Sequence, residues 1–185
     1  NYTSIRLNIK YIYKETVEQF YKTSTIQTPW IFPKNSTDNS YTIDPCDSKN
    51  PFLGTVCECS NGECKIVELV LCSGNLNGTI PSSIGDFTDL RNLTMKSNYL
   101  EGTLPKEITK LKSLIKIDLY NNNINGTIPE SIGNLEKMKE MSFGRNALTG
   151  TIPLSLNLLK SMILLDLGNN TLSGNLLPII PLKSL

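Results

Sequence analysis

Leu114-Ile-Lys-Ile117-Asp-Leu119-Tyr-Asn-Asn122-Asn-Ile124-Asn-Gly126-Thr-Ile128-Pro129 is the stretch whose reading decides the fold. Ile117 and Leu119 alternate with Lys116, Asp118 and Tyr120, the two-residue period of a short strand with one face turned inward. Asn122 follows, and an amide at that point bonds neighbouring backbone, so the chain turns without orphaned polar groups. Gly126-x-Ile-Pro129 then carries the chain away from the strand, to a side where proline disturbs no main ladder.

The same frame recurs along the chain. Gly78, Gly102, Gly126, Gly150 and Gly174 are each 24 residues apart, and four of them open Gly-Thr-Ile-Pro81, Gly-Thr-Leu-Pro105, Gly-Thr-Ile-Pro129 and Gly-Thr-Ile-Pro153. Repeats start near Ile66, Leu90, Leu114, Met138 and Met162, with a sixth start at Leu185. Asn98, Asn122, Asn146 and Asn170 fall in one column and predict an internal polar ladder, while Gly74 stands in the first slot. Ile84, Ile108, Ile132, Leu156 and Ile180 are expected to close each coil's core.

The motif LxxLxLxxNxLxGxIPxxIGxL resembles the plant-type leucine-rich repeat of receptor-kinase ectodomains and polygalacturonase inhibitors; similar arrays occur in protist surface proteins. The resemblance covers residues 66–185 and implies an α/β solenoid. Its form is a right-handed leucine-rich-repeat coil of five 24-residue repeats with a parallel concave sheet. A cysteine-containing N-terminal cap over 14–65 and a strand-like extension over 1–13 complete the organisation. The segment Glu15–Lys22 has an amphipathic helical pattern, and Trp30 with Asp44-Pro-Cys46 and Gly54-Thr-Val-Cys57 resembles the family's cap, although Phe52 stands near the place of a second tryptophan. The resemblance implies a bond from Cys46 to Cys57 or Cys59.

Five cysteines (Cys46, Cys57, Cys59, Cys64, Cys72) cluster in one region of a chain without histidine. That composition argues for disulfides over a zinc site. Cys59-Ser-Asn-Gly-Glu-Cys64 carries an Asn-Gly turn and suits a hairpin closed by a disulfide. The odd count leaves one cysteine free or paired to another chain, and Cys72 is the candidate. Sequons at Asn1, Asn35, Asn77, Asn92, Asn125 and Asn169 are expected to carry N-linked glycans, which with the disulfides places the chain outside the cell.

The net charge of +1 comes from 18 basic and 17 acidic residues, so nucleic acid is a poor partner. No apolar run reaches the roughly 18–20 residues of a membrane span. Asn1-Tyr-Thr-Ser has no basic leader before an apolar core, so an exported form is expected to have lost its signal peptide. Leu182-Lys-Ser-Leu185 copies Leu111-Lys-Ser-Leu114, so the native chain is expected to continue, or another subunit to cover its end.

Catalysis finds no support in the residues. A Ser-His-Asp device needs histidine, and Asp118 and Asp166, two strands apart, are about 10 Å from each other, beyond glycosidase spacings. No cofactor, metal ligand set or phosphate loop is expected. The concave columns are read as Val67, Glu68, Val70, Cys72 and Ser73 on the first strand, with their counterparts on later strands. A glycan at Asn92 is expected to obstruct the early repeats, which leaves Tyr120, Asp118, Ser142, Arg145 and Lys116 as the ligand-binding candidates. The expected function is non-catalytic recognition of a protein, peptide or glycan. The alternative is a structural subunit of a wall, coat or filament, assembled head to tail with copies of itself.

Overall fold

The computed structural model describes residues 54–61, 63–73 and 76–174. The expected extension, most of the cap, Cys46, Asn1, Asn35, Gly74, Ile180 and the sixth repeat start lie outside the described residues.

Each coil contributes one short strand to a six-stranded sheet. β1 (Thr55–Ser60) and β2 (Glu63–Val70) form an antiparallel hairpin. From β2 the sheet runs in parallel through β4 (Asn92–Thr94), β6 (Lys116–Asp118), β8 (Glu140–Ser142) and β10 (Leu164–Asp166). The register is one repeat per strand: Glu68 faces Asn92, Asn92 faces Lys116, Lys116 faces Glu140 and Glu140 faces Leu164. This is the expected concave sheet.

A second sheet is a finding the sequence pattern did not announce. β3 (Asn77–Thr79), β5 (Tyr99–Thr103), β7 (Asn123–Gly126) and β9 (Ala147–Leu148) pair in parallel where the sequence suggests only turns. Their partners are offset from the repeat by two residues: Asn77 faces Tyr99, Glu101 faces Asn123 and Asn125 faces Ala147. Between the sheets the helical part of each coil takes the form of a 3-10 turn, at Ser82–Asp86, Lys106–Lys110, Glu130–Asn134 and Leu154–Leu158. Each turn follows a proline with φ between −73° and −60°, the value the pyrrolidine ring enforces.

The core is a set of stacked layers. Leu90, Leu93, Met95, Leu114, Ile117, Leu119, Met138 and Met141 are fully buried, as are the closing residues Ile84, Ile108, Ile132 and Leu156. Burying each such side chain contributes about 1.5–3 kcal/mol. The polar ladder is present. Asn98, Asn122, Asn146 and Asn170 each accept the N–H of Leu76, Leu100, Ile124 and Leu148 in turn, at 3.0–3.1 Å. Each Nδ2 also donates to carbonyls of its own coil and the preceding one, as Asn122 does to Leu119 and Met95.

The hairpin bears out the expected Cys59–Cys64 bond and corrects one alternative. Cys59 pairs with Cys64, directly across the antiparallel register, so the alternative bond from Cys46 to Cys59 is excluded. Cys57 is disulfide-bonded, and Cys72 is a half-buried free thiol. Three positions read as concave surface, Val67, Thr94 and Gly144, are buried instead.

Candidate ligand-binding face

Strand register places the candidate residues. Asp118, Ser142 and Asp166 form one row across β6, β8 and β10, and Lys116 and Glu140 form the row beside it. Tyr120 and Arg145 follow their strands. The Lys116 ammonium lies 2.7 Å from the Glu140 carboxylate. That hydrogen bond is the main reason the Lys116 pKa is raised above its ordinary 10.5; burial opposes the shift, and the Glu140 and Asp118 charges add to it. Glu140 was not among the sequence candidates, although a spacing of 24 between opposite charges signals such a pair.

Arg145 turns back along the solenoid, and its guanidinium carbon sits 5.7 Å from the centre of the Tyr120 ring. A stack of this kind contributes about 0.5–1 kcal/mol at an exposed site and holds a flat aromatic surface in place. Asp118 accepts the backbone N–H of Tyr120 at 3.2 Å, which steadies the approach to that ring. Asp166 accepts the N–H of Gly168 at 3.0 Å and the hydroxyl of Ser142 at 3.4 Å. Its carboxylate lies where a side chain on Gly144 would stand, so Gly144 is a buried floor position. Among the described residues neither Asp118 nor Asp166 forms an ion pair within 4 Å, although the Lys116 charge acts on Asp118 from farther away.

Several of the remaining residues of this face and of the sequons have their own partners. Arg91 forms a bidentate pair with Glu58, 2.7 Å for its longer bond, and clamps the hairpin to the second repeat. Asn92 is half-buried on β4, and its Nδ2 donates to Glu68 at 2.9 Å. Asn77 is half-buried on β3, where its Oδ1 accepts the N–H of Gly78. Asn125 on β7 and Asn169 are exposed. Within their shared row Asp118 and Asp166 are two strand spacings apart, about 9.5 Å.

The model for the leucine-rich repeat matches residues 113–135. The SOBIR1 receptor-kinase ectodomain of Arabidopsis thaliana superposes with a TM-score of 0.63 and 30% identity, over 69% of this chain and 74% of that one. The chain belongs to the leucine-rich-repeat family of plant type. Other solved members lie near it. The BIR3–SERK2 complex of Arabidopsis thaliana gives a TM-score of 0.69 at 28% identity, over 86% of this repeat protein and 82% of the matched chain. The nodulation receptor kinase of Pisum sativum is 41% identical over 71 residues, 38% of this repeat protein but only 8% of the kinase. The leucine-rich-repeat chain thus spans less than a tenth of that relative's length.

Proposed function

We propose that this leucine-rich-repeat chain is a non-catalytic recognition unit of an extracellular glycoprotein, which takes a protein or peptide on its concave face around Tyr120, Asp118, Ser142, Arg145 and Lys116. The observation that carries this reading is the Arg145–Tyr120 stack on an open strand face. Tyrosine and arginine are the residue types that dominate binding energy, and they do so best when held in place beforehand. The carboxylates of Asp118 and Asp166, in hydrogen bonds but in no close ion pair, suit a partner carrying positive charge.

The Cys59–Cys64 disulfide supports an oxidising compartment, and the likeness to receptor ectodomains supports the same location. A matched structure is a complex of two proteins, which supports a protein partner by analogy of fold. The widely spaced Asp118 and Asp166, on a face without histidine, support a non-catalytic role.

The test is retention of secreted proteins and peptides on the immobilised chain, compared with the Tyr120→Ala/Arg145→Glu double variant. Loss of a central hot spot costs at least about 2 kcal/mol, so a genuine ligand binds the double variant roughly 30-fold more weakly. Equal retention by both proteins sinks the assignment of this face. Sedimentation as a growing polymer, with no ligand retained, replaces the reading with the filament subunit.

A further inference from the structure

We propose that Asn125 carries an N-linked oligosaccharide, and that this glycan is what covers the outward face of the second sheet. The proposal rests on the extracellular reading above and gives this one sequon a role in the fold.

The two sides of that sheet differ in kind. Gly78, Leu100, Ile124 and Leu148 point inward and are buried, whereas Thr79, Glu101, Thr103, Asn123, Asn125 and Ala147 point outward and are exposed. Among the described residues of these four strands, Glu101 is the one charged side chain. Surface charge is what ordinarily keeps such faces apart. Tyr99 of β5, 58% exposed, adds an uncharged aromatic side chain to this face, and a sheet with so little charge has little to oppose stacking on a second copy.

Asn125 occupies the middle of this face. It sits on β7 with Thr103 of β5 on one side and Ala147 of β9 on the other, both small residues. The side chain is exposed, and its amide makes no hydrogen bond among the described residues. The other strand-borne acceptors are engaged: Asn92 with Glu68, and Asn77 with the N–H of Gly78. In Asn125-Gly126-Thr127 the glycine holds a positive φ of 73°, and Thr127 is exposed beside it. A glycan at Asn125 therefore displaces no contact of the fold.

In the transfer, Asn125 Nδ2 forms a bond to the anomeric carbon of a lipid-linked oligosaccharide diphosphate. The bond from that carbon to the diphosphate oxygen breaks, the lipid diphosphate leaves with the electron pair, and Nδ2 gives up one proton to solvent. The attached sugar chain then extends from the centre of the sheet and blocks face-to-face approach by its bulk and hydration.

The experiment expresses the full chain in a secretory host. It maps occupancy by enzymatic deglycosylation in heavy-oxygen water, which converts occupied asparagines to labelled aspartates. Oligomeric state is read by sedimentation. Expected are an occupied Asn125 and a monomeric chain, with Asn125→Gln and Thr127→Ala both folded by circular dichroism, both unglycosylated at this site, and both self-associating. Thr127→Ser keeps the sequon and stays monomeric. An empty Asn125 beside an occupied Asn169 overturns the proposal while leaving the compartment intact. An empty Asn125 and an empty Asn169 overturn the compartment reading with it. Folded Asn125→Gln and Thr127→Ala that remain monomeric overturn the covering role.

Discussion

The side-chain oxygen of Asn122 accepts the backbone N–H of Leu100, one coil earlier, at 3.0 Å. The same amide donates to Met95 of that earlier coil at 3.1 Å and to Leu119 of its own coil at 3.0 Å. One buried side chain thereby satisfies backbone groups of two successive coils at the point where both turn away from the concave sheet.

Replacing Asn122 with alanine strips the Leu100 N–H and two carbonyls of this partner in a buried setting. Each unsatisfied buried group costs about 1–3 kcal/mol, and partial relaxation returns some of it. The expected loss is about 3–4 kcal/mol, measured as a lowered urea midpoint at unchanged slope. A loss below about 1 kcal/mol would show that the ladder is incidental to stability.

The residue before each ladder position holds a left-handed conformation. Ser73, Ser97, Asn121, Arg145 and Asn169 have φ between 50° and 59°. Asparagine tolerates that region better than serine does, because its short polar side chain bonds locally. Ser97→Asn is therefore expected to stabilise the chain by about 0.5–1 kcal/mol, and Ser97→Val to destabilise it by about 1–2 kcal/mol. Thermal unfolding of the two variants reads the difference, and a stabilising valine would contradict the assigned backbone.

Two buried glycines touch different neighbours. A Cβ on Gly133 would lie 2.4 Å from the Ser155 carbonyl oxygen of the next coil, which is backbone and cannot swing aside. A Cβ on Gly144 would lie 2.6 Å from an Asp166 carboxylate oxygen, which can. Gly133→Ala is expected to cost about 2–3 kcal/mol, in the range for an overpacked core. Gly144→Ala is expected to cost about 1 kcal/mol or less, while moving Asp166 away from Gly168. Urea titration ranks them, and the reverse order would contradict the coil spacing.

The polar ladder and the closing isoleucines were legible because each recurs in the same slot of every coil. Asn98, Asn122, Asn146 and Asn170 announce their shared environment by spacing alone. Placing Asp118, Ser142 and Asp166 in one row needed no more than that spacing. The clamp between Arg91 and Glu58 was hidden, since the partners lie in different kinds of segment and share no period. Val67 read as surface by its slot, yet it is buried on the strand shared with the hairpin.

The 24-residue period, by itself, determined the coil, its inward residues and the faces that adjacent repeats present to each other. Stacking identical coils is a one-dimensional problem, and local spacing solves it. The tertiary structure decided what depends on two coils meeting at a distance from the repeating strand. Segments of two to five residues become a second sheet there, because each coil holds the next at strand spacing on that side too. The two-residue offset of that sheet sets Asn125 between Thr103 and Ala147. Such pieces are too short to show an alternation of their own, so no pattern within one repeat records them.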